Sequence, residues 1–172
     1  MAKDADHVDR LRTQWAAELP DLDTSPMAIL GRIYRLSRLV SPSIEALFAE
    51  HGLDRGEFDV IATLRRSGKP YRLTPTDLYT SLMIASGSLT HRLGRLEKAG
   101  LIARRPSEED GRSLAVELTA KGKRVAEEAF RADMANEKTF LTGIDRTERE
   151  QLAALLRKLC IAVEAAVAKG ET

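Results

Sequence analysis

Five basic side chains crowd into one short stretch of an otherwise balanced chain. Arg92, Arg95, Lys98, Arg104 and Arg105 lie between Ser86 and Arg105 against Glu97 alone, while the 172-residue chain has a formal net charge of +1. Local positive charge on a near-neutral chain fits a face that meets a polyanion better than a generally sticky surface. The same stretch offers Ser86, Ser88, Thr90 and His91. Arginine can take guanine through two hydrogen bonds, and Ser, Thr or His can reach base edges or phosphates. The chemistry implied is groove recognition on double-stranded DNA, with Ser86, Ser88, Thr90, His91, Arg95 and Arg105 as candidate contacts.

Bond-making chemistry has no comparable support. His7, His51 and His91 are widely spaced and have no Cys or paired-His companions, so a metal site is not expected. No Ser/His/Asp set, phosphate-binding glycine loop or carboxylate pair stands in a convincing context. Neither enzyme activity nor a cofactor is expected. Cys160 is the sole cysteine and lies in an apolar helical pattern, where buried packing is the simplest reading. A chain with one cysteine cannot form an internal disulfide, which suits a reducing cytoplasm.

The elements that must position these side chains are readable. Leu89, Leu93 and Leu96 recur at helical spacing and give the segment from Ser86 to Gly100 an inward stripe. Ser86 can cap it and Gly100 can close it. Thr74-Pro75 opens a preceding helix. Two short strands follow near 101–105 and 113–118, joined by a polar loop holding Asp110-Gly111-Arg112. Helix, break, helix and basic hairpin make a winged helix-turn-helix. The fold class is mostly α with a small β-hairpin wing.

The flanks read as helices. An amphipathic helix over 4–19 carries Val8, Leu11, Trp15 and Leu19. A second opens at Ser25-Pro26, with serine as cap, and Pro42 should kink it before Gly52 ends it. Asp54-Arg55-Gly56-Glu57 is a capping box for a third, with Phe58, Ile61 and Leu64 inside. Tyr71-Arg72-Leu73 is a short strand candidate. The C-terminal third holds a helix over about 120–142 and another after the capping box Asp145-Arg146-Thr147-Glu148, whose stripe includes Leu152, Leu155, Leu159 and Val163. That is more apolar surface than one small winged domain can cover, so a homodimer is expected. The division is 1–50 as N-terminal dimerisation helices, 51–119 as the DNA-binding region and 120–172 as C-terminal dimerisation helices, in one compact domain. The polar N-terminus has no signal-peptide core, and no apolar run approaches a membrane span of about 20 residues. A cytoplasmic protein without a membrane partner is expected.

The middle of the chain resembles the MarR family of winged helix-turn-helix regulators. The matching pieces, in order, are Gly52-Leu53, Glu57-Phe58-Asp59-Val60-Ile61, Ser86 to Gly100, Leu101-Ile102, Asp110-Gly111-Arg112 and Leu118-Thr119-Ala120-Lys121-Gly122. The resemblance implies a homodimer with interlocked terminal helices on a pseudo-palindromic operator. It also implies a small-molecule pocket, with Arg112 in the minor groove and Asp110 bracing the wing. A surface arginine paired with Asp110 is the plainer reading of Arg112. The chain is similar, more narrowly, to the urate-responsive branch of the family. Trp15, Asp59, Arg92 and Arg104 match its ligand residues, which implies a repressor released by a small aromatic or anionic effector such as urate. Trp15 could equally cover a dimer core, and Asp59 could be an exposed partner of Arg55. Two other functions stay open: an architectural DNA-binding protein without an effector, and a dimeric interaction module without DNA binding.

Overall fold

The computed structural model describes residues 5–83, 89–106 and 114–170. Two compact units are present, one ending at Arg131 and one beginning at Ala132.

The first unit opens with α1 (His7–Glu18). Its cap is a reciprocal box: Asp6 accepts the Asp9 N–H at 2.9 Å, and Asp9 accepts the Asp6 N–H at 3.2 Å. Val8 is the buried residue of α1. Trp15 stays 46% exposed. Arg32 reaches both cap carboxylates, with Nε on Asp6 at 2.8 Å and Nη2 on Asp9 at 2.7 Å. The Asp9 N–H and then the Arg32 guanidinium hold the Asp6 carboxyl below its usual range.

The next helical segment departs from expectation in two ways. Ser25 is already helical, and Asp23 accepts both its N–H and its O–H. The capping carboxylate therefore comes from Asp23, not from the Ser25 hydroxyl. The path then widens into one π-helical turn, Met27–Gly31, before α2 (Arg32–Glu50). Val8 of α1 lies in van der Waals contact with the position a Gly31 Cβ would take, at 3.4 Å. Pro42 sits inside α2 without ending it. The lost i→i−4 bond is tolerated because α2 buries Ile44 and Phe48 beyond the proline. Phe48 stacks on Phe58 with centroids 4.1 Å apart.

Gly52 turns the chain at φ +71° into α3 (Arg55–Arg66), whose capping box forms as expected. β1 (Arg72–Leu73), α4 (Pro75–Ser81), α5 (Leu89–Lys98), β2 (Ile102–Pro106) and β3 (Leu114–Leu118) follow. Thr74 caps α4 by accepting the Asp77 N–H at 3.1 Å. The hairpin gains a third strand, in the order β1-β3-β2, with both pairs antiparallel. Arg72 faces Glu117 across β1 and β3 and binds it at 2.9 Å. Leu64, Leu78, Leu93, Leu96 and Val116 meet in the core. The inward leucines of α5 are thus where helical spacing puts them.

The start of α6 (Ala120–Phe140) is fastened to the end of α5. The Thr119 hydroxyl donates to the Gly100 carbonyl at 2.8 Å and accepts the Gly122 N–H at 2.9 Å. Lys121 donates to the Ala99 carbonyl at 2.8 Å. A Cβ on Gly122 would overlap the Leu101 carbonyl oxygen. These contacts give the Leu-Thr-Ala-Lys-Gly run a physical purpose: a close joint that only glycine permits.

The second unit holds the rest of α6 and α7 (Arg146–Lys169). Asp145 and Glu148 form the expected capping box, and Gly170 closes α7 at φ +70°. None of the α7 residues is buried. Cys160 is exposed in the single chain, so the expectation of buried packing is corrected. The apolar stripe that carries it, including Leu155 and Val167, is itself uncovered.

Candidate nucleic-acid interface

Helix α5 separates its faces cleanly. Leu93 and Leu96 point into the core, while Thr90, His91, Arg95 and Lys98 are exposed. Lys98 and Arg95 occupy the last turn, where positive charge complements the negative end of the helix dipole. Arg104, Arg105 and Pro106 are exposed on β2. Arg104 pairs with Glu97 at 3.2 Å, tying the hairpin to α5. The exposed side chains on the described part of this face include Thr90, His91, Lys98 and Arg105. Ser86, Ser88, Asp110 and Arg112 lie outside the described residues.

Arg95 is not an open-ended reader. Its Nε lies 2.7 Å from Glu57 Oε1, and its Nη2 donates to Glu57 Oε2 at 2.9 Å. Asp54 Oδ2 stands 3.3 Å from the same Nη2. Arg95 is half-exposed, whereas the Glu57 side chain is only 4% exposed. Sequence spacing alone left Glu57 as a local cap. The capping box gave its position, but nothing in the sequence pointed to a partner in α5.

Of the residues matched to an effector pocket, Arg92 lines a groove and the other three have separate surroundings. Asp59 is buried, which departs from the reading of it as an exposed partner of Arg55. Its carboxylate accepts the Met83 N–H at 3.2 Å and lies 3.8 Å from Arg66, which also donates to the Ser81 carbonyl. Asp59 thus anchors the chain where it leaves α4. Arg55 instead reaches the Ser41 hydroxyl at 3.3 Å. The reason is positional: the start of α3 faces α2, while Asp59 sits a turn further, over α4. Arg92 lies against the bare backbone of Gly56, where a Cβ would collide with its guanidinium. It lines a groove of about 510 Å³ together with Glu45, Ala49, Leu53, Asp54, Arg55 and Gly56. Trp15, Asp59 and Arg104 are not part of that lining.

Among the described residues, no group of three His, Cys, Asp or Glu is placed to hold a metal. No described helix is long and apolar enough to cross a membrane.

A family model described as the MarR family matches residues 51–113. The HTH-type transcriptional regulator PecS of Dickeya dadantii is 38% identical over 146 residues, covering 85% of this chain and 88% of that one. The chain belongs to the MarR family. Among solved structures, Sco5413 of Streptomyces coelicolor, a MarR family transcriptional regulator, is similar at 26% identity and a TM-score of 0.68. That match covers 83% of this chain and 98% of Sco5413. BpsR of Bordetella bronchiseptica shares the fold at 23% identity and a TM-score of 0.61, over 74% of this chain and 92% of that one. The MarR assignment makes the chain a DNA-binding transcriptional regulator and not an enzyme.

Proposed function

We propose that this MarR protein is a cytoplasmic homodimeric repressor whose hold on a pseudo-palindromic operator is released by a small aromatic or anionic effector. The observation that carries the effector reading is the groove beside Arg92. Its lining includes Ala49 of α2, Leu53, Arg55 and Arg92, and Arg92 belongs to the recognition helix α5. Its volume falls in the range of small-molecule sites, about 300–1,000 Å³. A flat ring could rest against Ala49 and Leu53 while its charge meets Arg92. Glu45 and Asp54 in the same lining oppose a highly charged ligand, which favours a single negative charge. BpsR offers a precedent within the fold, since its DNA binding is regulated by 6-hydroxynicotinic acid.

The operator-facing set in this reading is Ser86, Ser88, Thr90, His91, Arg105 and Arg112, with Asp110 bracing the wing. Residues 51–119 bind DNA, and the helices over 1–50 and 120–172 pair the protomers. Urate is the effector suggested by the match of Trp15, Asp59, Arg92 and Arg104 to the urate-responsive branch. Arg92 would contact the ligand directly. Asp59 and Arg104 would relay its arrival, one by anchoring the chain after α4 and the other through Glu97 on α5. Ligand and DNA would then oppose each other by a coupling free energy of about 1–3 kcal/mol.

The test is titration of a preformed promoter complex with urate and with 6-hydroxynicotinate, followed by fluorescence anisotropy of labelled DNA. Release by either acid, weakened about tenfold in Gly56→Ala, supports the groove. Gly56→Ala is chosen because its methyl would take the place of the Arg92 guanidinium. A complex indifferent to both acids removes the proposed effectors and leaves the DNA-binding regulator.

A further inference from the structure

The contact between Glu57 and Arg95 joins two helices that the DNA-binding fold must keep in register. Glu57 is a nearly buried carboxylate with three donors. It accepts the Asp54 N–H at 2.8 Å, closing the cap of α3, and receives Nε and Nη2 of Arg95. The two guanidinium donors it uses form the side-on edge of Arg95, so both carboxylate oxygens are committed. Asp54 adds a second acid beside Nη2. The positive charge of Arg95 is therefore met by two carboxylates within the protein. An arginine so neutralised contributes little to the attraction of phosphates.

Apolar packing cannot do what this pair does. Leu93 and Leu96 hold α5 against the core, but burial of leucine is non-directional and tolerates rotation about the helix axis. Side chains on a helix lie about 5–6 Å from its axis, so a rotation of about 20° moves a tip by about 2 Å. Base-edge hydrogen bonds tolerate only a few tenths of an ångström. A fork locked to a buried carboxylate is directional and supplies that missing restraint.

We infer that Glu57 and Arg95 form a positioning pair that fixes the rotation of the recognition helix, and that Arg95 is a brace, not a base or phosphate contact. This rests on the DNA-binding role of α5 and goes beyond it by assigning Glu57, which no sequence feature marked as functional.

The experiment compares Glu57→Gln, Arg95→Gln, Arg95→Lys and the double Gln variant with the wild-type chain. Operator and shuffled-DNA affinities are measured across a salt series at a temperature where melting curves show each variant folded. The pair predicts that each single Gln variant loses on the order of tenfold in preference for operator over shuffled DNA, while the double variant, whose charge balance is that of the wild-type chain, keeps the salt slope unchanged. The double variant should be no worse than either single one, because both remove the same interaction. Arg95→Lys should remain impaired, since an ammonium cannot span both oxygens. Arg95 is half-exposed, so its variants keep the test open if Glu57→Gln does not fold. A salt slope lowered by about one in Arg95→Gln and restored in Arg95→Lys would mark a phosphate contact and overturn the inference. Relaxed preference at a single base pair, or additive losses in the double variant, would overturn it equally. Failure of the wild-type chain to prefer the operator would overturn the DNA-binding role first, and is read before any variant.

Discussion

At the scale of single residues, the sequence marks which types can act but not which partners hold them. Thr90, His91 and Arg105 stand exposed as their types suggest. Arg95 has the same character in sequence, yet it is engaged by a carboxylate 38 positions earlier. No local pattern reveals a contact over that distance. Asp59 shows the same limit: a helical neighbour, Arg55, was the visible partner, whereas its carboxylate also meets Arg66 and the Met83 N–H, contacts no local pattern marks. Gly122 is the reverse case, since its place in the Leu-Thr-Ala-Lys-Gly run was legible but its reason was not. Alanine there gains up to about 1 kcal/mol of helix propensity. Its methyl, however, meets the Leu101 carbonyl oxygen and lies 3.0 Å from a Leu118 methyl. Overpacking against backbone typically costs about 1–3 kcal/mol or more, so the clash wins. Gly122→Ala should lower stability by about 2 kcal/mol in urea unfolding. Unchanged or raised stability would show that α6 can shift without loss.

At the scale of elements, capping boxes and helical spacing proved to be dependable signals. The boxes at Asp54 and Asp145 form with their expected partners. The π-helical turn at Met27–Gly31 had no such signal, and α2 continues past Pro42 to bury Ile44 and Phe48. The attachment of α1 was also hidden, because Arg32 lies far along the chain from Asp6 and Asp9. This clasp has a pH dependence with a definite sign. The folded Asp6 carboxyl is held below its ordinary value, so the contribution is complete above about pH 4. It disappears as the pH falls through the lower folded value. Trp15 on α1 should report this loss as a fluorescence change in acid. Arg32→Ala removes part of the cause and should move that transition to higher pH. Identical midpoints in the two proteins would show that Arg32 does not hold α1.

At the scale of the whole molecule, the chain combines a polar and basic reading face with apolar helices that stay uncovered. Leu36 and Leu39 on α2, and Leu155, Ile161 and Val167 on α7, are each more than half exposed in the single chain. The stripe through Leu155 was visible in the sequence, whereas what covers it is a matter of assembly. A second copy is the proposed answer, and it would bring two α5 helices to one DNA duplex. Half-sites would then lie about 10 bp apart, one turn of the double helix. The central claim is sequence-specific DNA binding through α5 and the hairpin. Its most direct test is a salt-dependent anisotropy titration of the promoter fragment beside the protein's own gene, against a shuffled fragment of equal length. The account predicts two protomers per site, a preference for the promoter of at least about 10³-fold, and steep weakening as salt rises. Equal affinity for the two fragments across the salt series would contradict it.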